Sequence, residues 1–289
     1  MWKRHVMRPR ARLFLSAGLL ATVVGALGAE QAPSPIGPPA DISTLKNFLP
    51  LGPPAGLKPS TVPDLAGAWV RGGPLQSISN SDVGAELRGK EPDVPYQPWA
   101  LKRMLSEVPP TGPFAEPHRT TDPWTIYCEP NGPVRVYAHP GRTEFVQLPD
   151  RVLMLHEIMQ QFRIVRLNGT HPPLEDLDPS SYGDSIGWYE NGALVIDTIG
   201  LNGRGWLDQM GHPMTERMHL VERYTRTDEK TLAIHRTIDD PGAYNKPIVH
   251  TINLRSSPVA FMQSPWNCSV RDNATFTETL LRDAVEPAK

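Results

Sequence analysis

Beyond residue 134 the sequence is cut into short runs, each stopped by a turn signal, and that rhythm limits the fold more than any other feature. The runs expected as strands cover 143–148, 152–158, 161–167, 186–189, 193–199, 217–226, 231–239 and 247–254, with a last one at 259–263. Pro149-Asp150, Asn168-Gly169, Glu190-Asn191-Gly192, the stretch 227–230 and Asp240-Pro241-Gly242 punctuate them, and each of these is turn chemistry. A Pro- and Asp-rich loop occupies 171–184. Helices do not alternate with the strands, so a parallel βαβ sheet is excluded. A meander of about eight strands joined by short loops removes its edges by closing. The expectation is a mainly β fold, an antiparallel meander closing into a barrel, with room inside for side chains or one small ligand.

The rest of the chain is organised around that domain. Lys3, Arg4, Arg8, Arg10 and Arg12 precede an uncharged apolar run at 13–27, and Ala26-Leu27-Gly28 follows with small residues. That order is the pattern of a secretory signal peptide at 1–28, and the run is short for a span of about 20 residues. Residues 29–63 form a Pro-rich linker, because Pro suits neither helix interiors nor sheet ladders. Residues 64–133 are irregular, with a strand entry near Trp69 and one helix at 99–108 ending before Pro109. The barrel domain is placed at 134–273 and a polar tail at 274–289. The mature protein is therefore expected in the periplasm or secreted, with no stable membrane insertion after cleavage. Losing residues 1–28 removes five basic residues and no acidic one, so the formal charge of −2 becomes more negative. An acidic protein without a basic stripe is not built for a phosphate backbone, and nucleic acid is not an expected partner.

The two cysteines, Cys128 and Cys268, pair in one reading and are separate buried thiols in another. Histidines lie at 156, 212, 219, 235 and 250, but none stands at HxxxH, HxH or HExxH spacing, so no metal site is expected. Gly183-Asp184-Ser185-Ile186-Gly187 has the letters of a nucleophile elbow, yet a Pro-rich loop precedes it and a hairpin follows, where that motif needs a strand and a helix. No phosphate loop, dinucleotide fingerprint or paired CxxC is present, and no cofactor is expected.

Strand alternation puts Leu220, Glu222 and Tyr224 on one face and His219 with Arg223 on the other. A Glu in an apolar inward row needs a partner, and Arg236 on the neighbouring run offers one. Histidine and carboxylate side chains are the natural acid/base groups near neutral pH. The candidate catalytic residues are accordingly His156, Glu157, His219, Glu222, His235, Asp239 and Tyr244. The candidate ligand-binding residues are Trp188, Asp197, Trp206, His212, Tyr224 and Arg236.

Several ordered segments carry a family resemblance. They are PDLAGAW at 63–69, CEPNGP at 128–133, GDSIGWYENGALVIDTIGLN at 183–202, WLDQMGHPMTERMHLVERY at 206–224 and TIDDPGAYNKP at 237–247. The chain resembles, over residues 63 to 273, a large family of exported bacterial proteins with the motifs GxSxGxWEGDTLVVDTxGFN, GHPHSExLHxxER and TIDDPxAYTKPW. The resemblance implies a lipocalin-like barrel, PDLxGxW being similar to the Gly-x-Trp entry of that superfamily, and implies no particular activity. Tyr189, Leu201, Gly203 and Met214 depart from the pattern, Met214 standing where the family has a second His. The expected function is action on a small, partly apolar molecule. It is either cofactor-independent acid/base catalysis of the lyase, isomerase or hydrolase kind, or binding and carriage. An envelope interaction protein with purely structural polar motifs is the third reading.

Overall fold

The strands do close. In a computed structural model, which describes residues 62–71, 77–80, 88–259 other than 113, 117 and 118, and also 261, 267–275 and 278, nine strands form one closed barrel in sequence order. They are β1 (Gly67–Arg71), β2 (Arg142–Gln147), β3 (Arg151–His156), β4 (Phe162–Leu167), β5 (Asp184–Glu190), β6 (Ala193–Ile199), β7 (His219–Asp228), β8 (Thr231–Asp239) and β9 (Ile248–Ser256). The ring is completed by β1, which pairs with both β2 and β9, so the segment ahead of residue 134 supplies a barrel strand. The run expected at 259–263 is not that closing strand: Val259 is a bend, and residues 260, 262 and 263 lie outside the described residues. The signal peptide, nearly all of the Pro-rich linker and most of the tail also lie outside them.

One neighbour pair departs from an antiparallel meander. Strands β4 and β5 run parallel, with Arg166 opposite Ile186 and Leu167 opposite Gly187. Asn168 does turn, at φ 55°, and its N–H donates to the Gly187 carbonyl at 2.7 Å. The chain then crosses through the Pro- and Asp-rich loop instead of closing a hairpin, and a parallel pair needs such a crossover. Gly187 permits the close approach, because a Cβ there would meet a Val165 methyl at 2.7 Å and the Val195 carbonyl at 3.0 Å.

Three short helices precede β2. Helix α1 (Pro98–Ser106) starts with Pro at its first position and buries Ala100 and Met104. Helix α2 (Pro123–Tyr127) is capped by Asp122, which accepts from the Trp124 N–H at 3.0 Å. Helix α3 (Gly132–Arg135) runs on as a tight turn through Ala138, and every residue of that piece is buried. Val136 and Tyr137 join the main core with Trp69, Phe145, Val152, Met154, Leu194, Ile196, Ile234 and Ile252 from the inner rows of the strands. A second core gathers Leu220, Ile238 and Ile248, at the ends of β7–β9, under Ile78, Val94, Leu207 and Tyr244. The strands' own side chains thus form the core, and the second cluster covers that end. Cys128, at the end of α2, is bridged to Cys268 across 140 residues of chain. By loop-entropy reasoning such a bridge stabilises the fold by about 5 kcal/mol, and it belongs to an oxidising compartment. No helix among the described residues is long and apolar enough to cross a membrane.

Candidate functional site

The polar candidates divide among three surroundings. The first is a belt inside the barrel. Strand alternation and register bring one inward polar side chain from each strand: Arg71, Thr143, His156, Arg163, Ser185, Thr198, Glu222, Arg236 and His250. Glu222 stands opposite Arg236, as the sequence pattern predicts, but its short ion pair is with Arg163, at 2.5 Å, while Arg236 Nε is 3.7 Å away. Arg163 also donates to Ser185 at 3.0 Å and to Thr198 at 2.6 Å, and the Tyr224 hydroxyl donates to Glu222 at 3.0 Å. Burial works against the Arg163 charge, yet Glu222 raises its pKa. Burial lifts the Tyr224 phenol well above its usual range. His156 lies against Thr143 at 3.0 Å, and burial, then the Arg163 charge, holds it down at about 3. It is therefore a neutral imidazole at physiological pH. Glu222 is spent on neutralising guanidinium groups and does not sit as a free base.

The second is the outer face. His219 is on the row opposite Glu222 and meets Asp197 at 2.7 Å. His171, from the crossover loop, lies between Asp184 at 2.6 Å and Asp197 at 3.4 Å, with its ring fully buried. Burial disfavours a charged Asp184, but hydrogen bonds from His171 and Arg166 carry it down to about 2. Burial works against a charged His171, but its hydrogen bonds to Asp184 and Asp197 raise its pKa. This chain of carboxylates and imidazoles fastens the loop to β5, β6 and β7. Asp239, opposite His219, is half-buried, which raises its pKa. His235 is on the outer row and exposed, bonded to Thr251 at 2.9 Å. Glu157 pairs with Arg142, and the Trp188 indole donates to Glu190 at 3.4 Å. His219, Glu222 and His235 do not converge on one cavity, because the strand alternation that places Glu222 inside places both histidines outside.

The third is the cover over the barrel end. His212 is fully buried between Asp208 at 2.6 Å and the Tyr96 hydroxyl at 2.6 Å, and Tyr96 donates to Glu91 at 2.9 Å. The order Asp–His–Tyr has the look of a proton relay. Burial and Glu91 push the Tyr96 phenol up, away from any role as a base. Asp208 also accepts from the Ile78 and Met210 N–H groups, so the network ties the 206–213 loop to the cover. Tyr244 is buried beside it and donates to the Pro213 carbonyl at 2.8 Å. The turn carboxylate is Asp240, which accepts from Thr215 and Gly242.

An open cleft lies outside all three, between α1, α2 and the 203–214 loop, with a volume of about 720 Å³. Trp99, Ile126, Tyr127, Trp206 and Met214 give it apolar walls, and Arg103, Glu107, Glu129 and Arg204 give it polar edges. Glu107 is buried and holds Arg103 and Thr121, and Glu129 accepts from Ser181 at 2.7 Å and Asn202 at 2.8 Å. Trp206 is the one candidate from the sequence that lines this cleft. Its indole N–H is buried with no hydrogen-bond partner among the described residues, and its ring lies under the Arg135 guanidinium at 5.0 Å. Trp99, Tyr127, Glu107 and Glu129 carried no signal in the sequence, because no short-range pattern joins 99–129 to 203–214. Among the described residues no group of three or more His, Cys, Asp and Glu side chains is placed to hold a metal ion. No protein-family model, curated protein or solved structure matches the chain.

Proposed function

We propose that this is an exported protein, a member of the family its motifs resemble, that binds a small, partly apolar molecule in the cleft between α1, α2 and the 203–214 loop. The observation that carries the reading is the cleft itself. Its volume of about 720 Å³ falls within the range of small-molecule sites. Its walls are aromatic and its polar groups sit at the edges. Binding is favoured over turnover because the carboxylates that line the cleft are already engaged, Glu107 by Arg103 and Thr121 and Glu129 by Ser181 and Asn202. The Cys128–Cys268 bridge supports an address outside the cytoplasm.

Gly205 supplies the test. A Cβ there meets nothing closer than the Pro130 carbonyl at 3.8 Å and the Met214 sulfur at 3.9 Å, which is ordinary contact. A Gly205→Phe side chain should fill the cleft and leave the fold intact. The disulfide-bonded protein, incubated with a metabolite extract and analysed by mass spectrometry, should retain a small molecule. Gly205→Phe should lose it with an unchanged unfolding midpoint. Equal retention by both proteins would place the ligand elsewhere and sink the proposal.

A further inference from the structure

The polar belt is satisfied on one side of the barrel only. Arg163 is saturated by Ser185, Thr198 and Glu222. Arg236, 1% exposed, gives only Nη1 to the Val134 carbonyl at 3.3 Å, and its Nε and Nη2 have no hydrogen-bond partner among the described residues. Those two donors are the side edge of the guanidinium, the edge that takes two oxygens of one anion at once. Glu222 does not serve it, since 3.7 Å is too long for a hydrogen bond. His250, opposite Arg236 in the register and 5% exposed, has an unpartnered, buried Nδ1. Arg71 shares the inner row of β1 with Trp69 and is partly exposed. Burial, then the Arg236 charge, holds Arg71 at about 10 and His250 at about 3. Asp208 and Asp93 lie on the side of the cover and are taken up by His212, Ser79 and main-chain N–H groups. Among the described residues of the belt, the guanidiniums of Arg71, Arg163 and Arg236 thus share the interior with the one carboxylate of Glu222, and buried charge in excess of its counter-ions is strongly unfavourable.

We infer that the barrel interior beside β8, β9 and β1 is a binding site for a small oxyanion, taken two oxygens at a time on the Nε–Nη2 edge of Arg236 with His250 and Arg71 beside it. The three residues are not part of the cleft. Carboxylate and phosphate share this chemistry, and the test separates them. The disulfide-bonded protein is heated in increasing sodium acetate and, separately, sodium phosphate, against sodium chloride at matched ionic strength. A site of this kind raises the unfolding midpoint saturably, by about 5–10 °C at a hundredfold excess over Kd. Saturation with acetate alone assigns a carboxylate, with phosphate alone a phosphate, and with both a general oxyanion site. Arg71→Gln at the accessible side, and independently His250→Gln, should shift the saturation at least tenfold to higher concentration. Salts also stabilise proteins by exclusion, which is unsaturable and blind to these substitutions. A midpoint that follows chloride, or a saturable rise that is the same in wild type and both variants, overturns the inference.

Discussion

Replacing Glu222 by Gln keeps the shape and removes the charge that two buried guanidiniums face. In the native protein one carboxylate oxygen is 2.5 Å from Arg163 and the other accepts from Tyr224 at 3.0 Å, with Arg236 at 3.7 Å. Both Arg163 and Arg236 are at most 2% exposed, so water cannot take over the role of the carboxylate. The Gln amide retains an acceptor for Tyr224 but turns an N–H₂ toward cationic donors. Breaking a buried pair by removing one partner costs about 3–5 kcal/mol, because the other charge is left uncompensated. For a domain of this size that is a drop of roughly 6–20 °C in unfolding midpoint. The assay is urea unfolding followed by tryptophan fluorescence with the disulfide kept oxidised, since reduction would add a second change of its own. Arg163→Met in the Glu222→Gln background should recover part of the loss, because it removes the charge left stranded. A Glu222→Gln loss under about 1 kcal/mol, or a double variant that loses the sum of both singles, would refute the claim that the carboxylate is there to neutralise the belt.

Two further outcomes follow from the same coordinates. Reducing the Cys128–Cys268 bridge, or replacing both cysteines by Ser, should lower stability by up to about 5 kcal/mol, the chain-entropy value for a loop of 140 residues; an unchanged urea midpoint after full reduction would contradict it. Acid should weaken the fold well before carboxylates titrate. His139, His156 and His250 are held at about 4, 3 and 3, chiefly by burial. A histidine with its folded pKa depressed contributes stability that is whole above the unfolded value of about 6.5 and lost as pH falls. Each costs about 1.4 kcal/mol of stability per pH unit between that value and its folded pKa. The raised pKa of His171 acts in the opposite sense and offsets part of the trend. The urea midpoint should therefore fall clearly from pH 7 to pH 5, and equal midpoints would show that these rings are not buried neutral.

The barrel was legible because turn chemistry is local. The runs at 193–199 and 231–239 match β6 and β8 residue for residue, since Asn191-Gly192 and the Thr227–Lys230 stretch fix where each hairpin reverses. The parallel β4–β5 pair was not legible. Asn168-Gly169 is a sound turn signal, and it does not say that the next strand will arrive only after a crossover. Alternation placed Glu222, Tyr224 and Arg236 correctly on one inner face and His219 on the other, and the candidate catalytic list draws on both faces. Arg163 went unnoticed for a different reason. In Phe162–Leu167 the two rows are alike, Phe162 and Ile164 with Arg166 facing out and Val165 and Leu167 with Arg163 facing in, so alternation alone does not single out the inward Arg.

That balance between the two rows of β4 bears on how the strand finds its register. Each row of β4 holds two apolar residues and one Arg, so hydrophobic patterning separates the rows only weakly, and the bonds that Arg163 makes inside add to the burial of Val165 in fixing the register. Slipping β4 by one residue would exchange Val165 and Leu167 for Phe162 and Ile164 inside, a near balance in apolar area, and would leave Glu222 without Arg163 and with Arg236 at 3.7 Å. The belt therefore acts as the register pin for the β3–β4–β5 corner, the corner where the sheet also changes from antiparallel to parallel. Specificity bought with a buried charge leaves a surplus of positive charge on the far side of the barrel, at Arg236, His250 and Arg71. The oxyanion site and the folding determinant are two consequences of the same nine inward polar side chains.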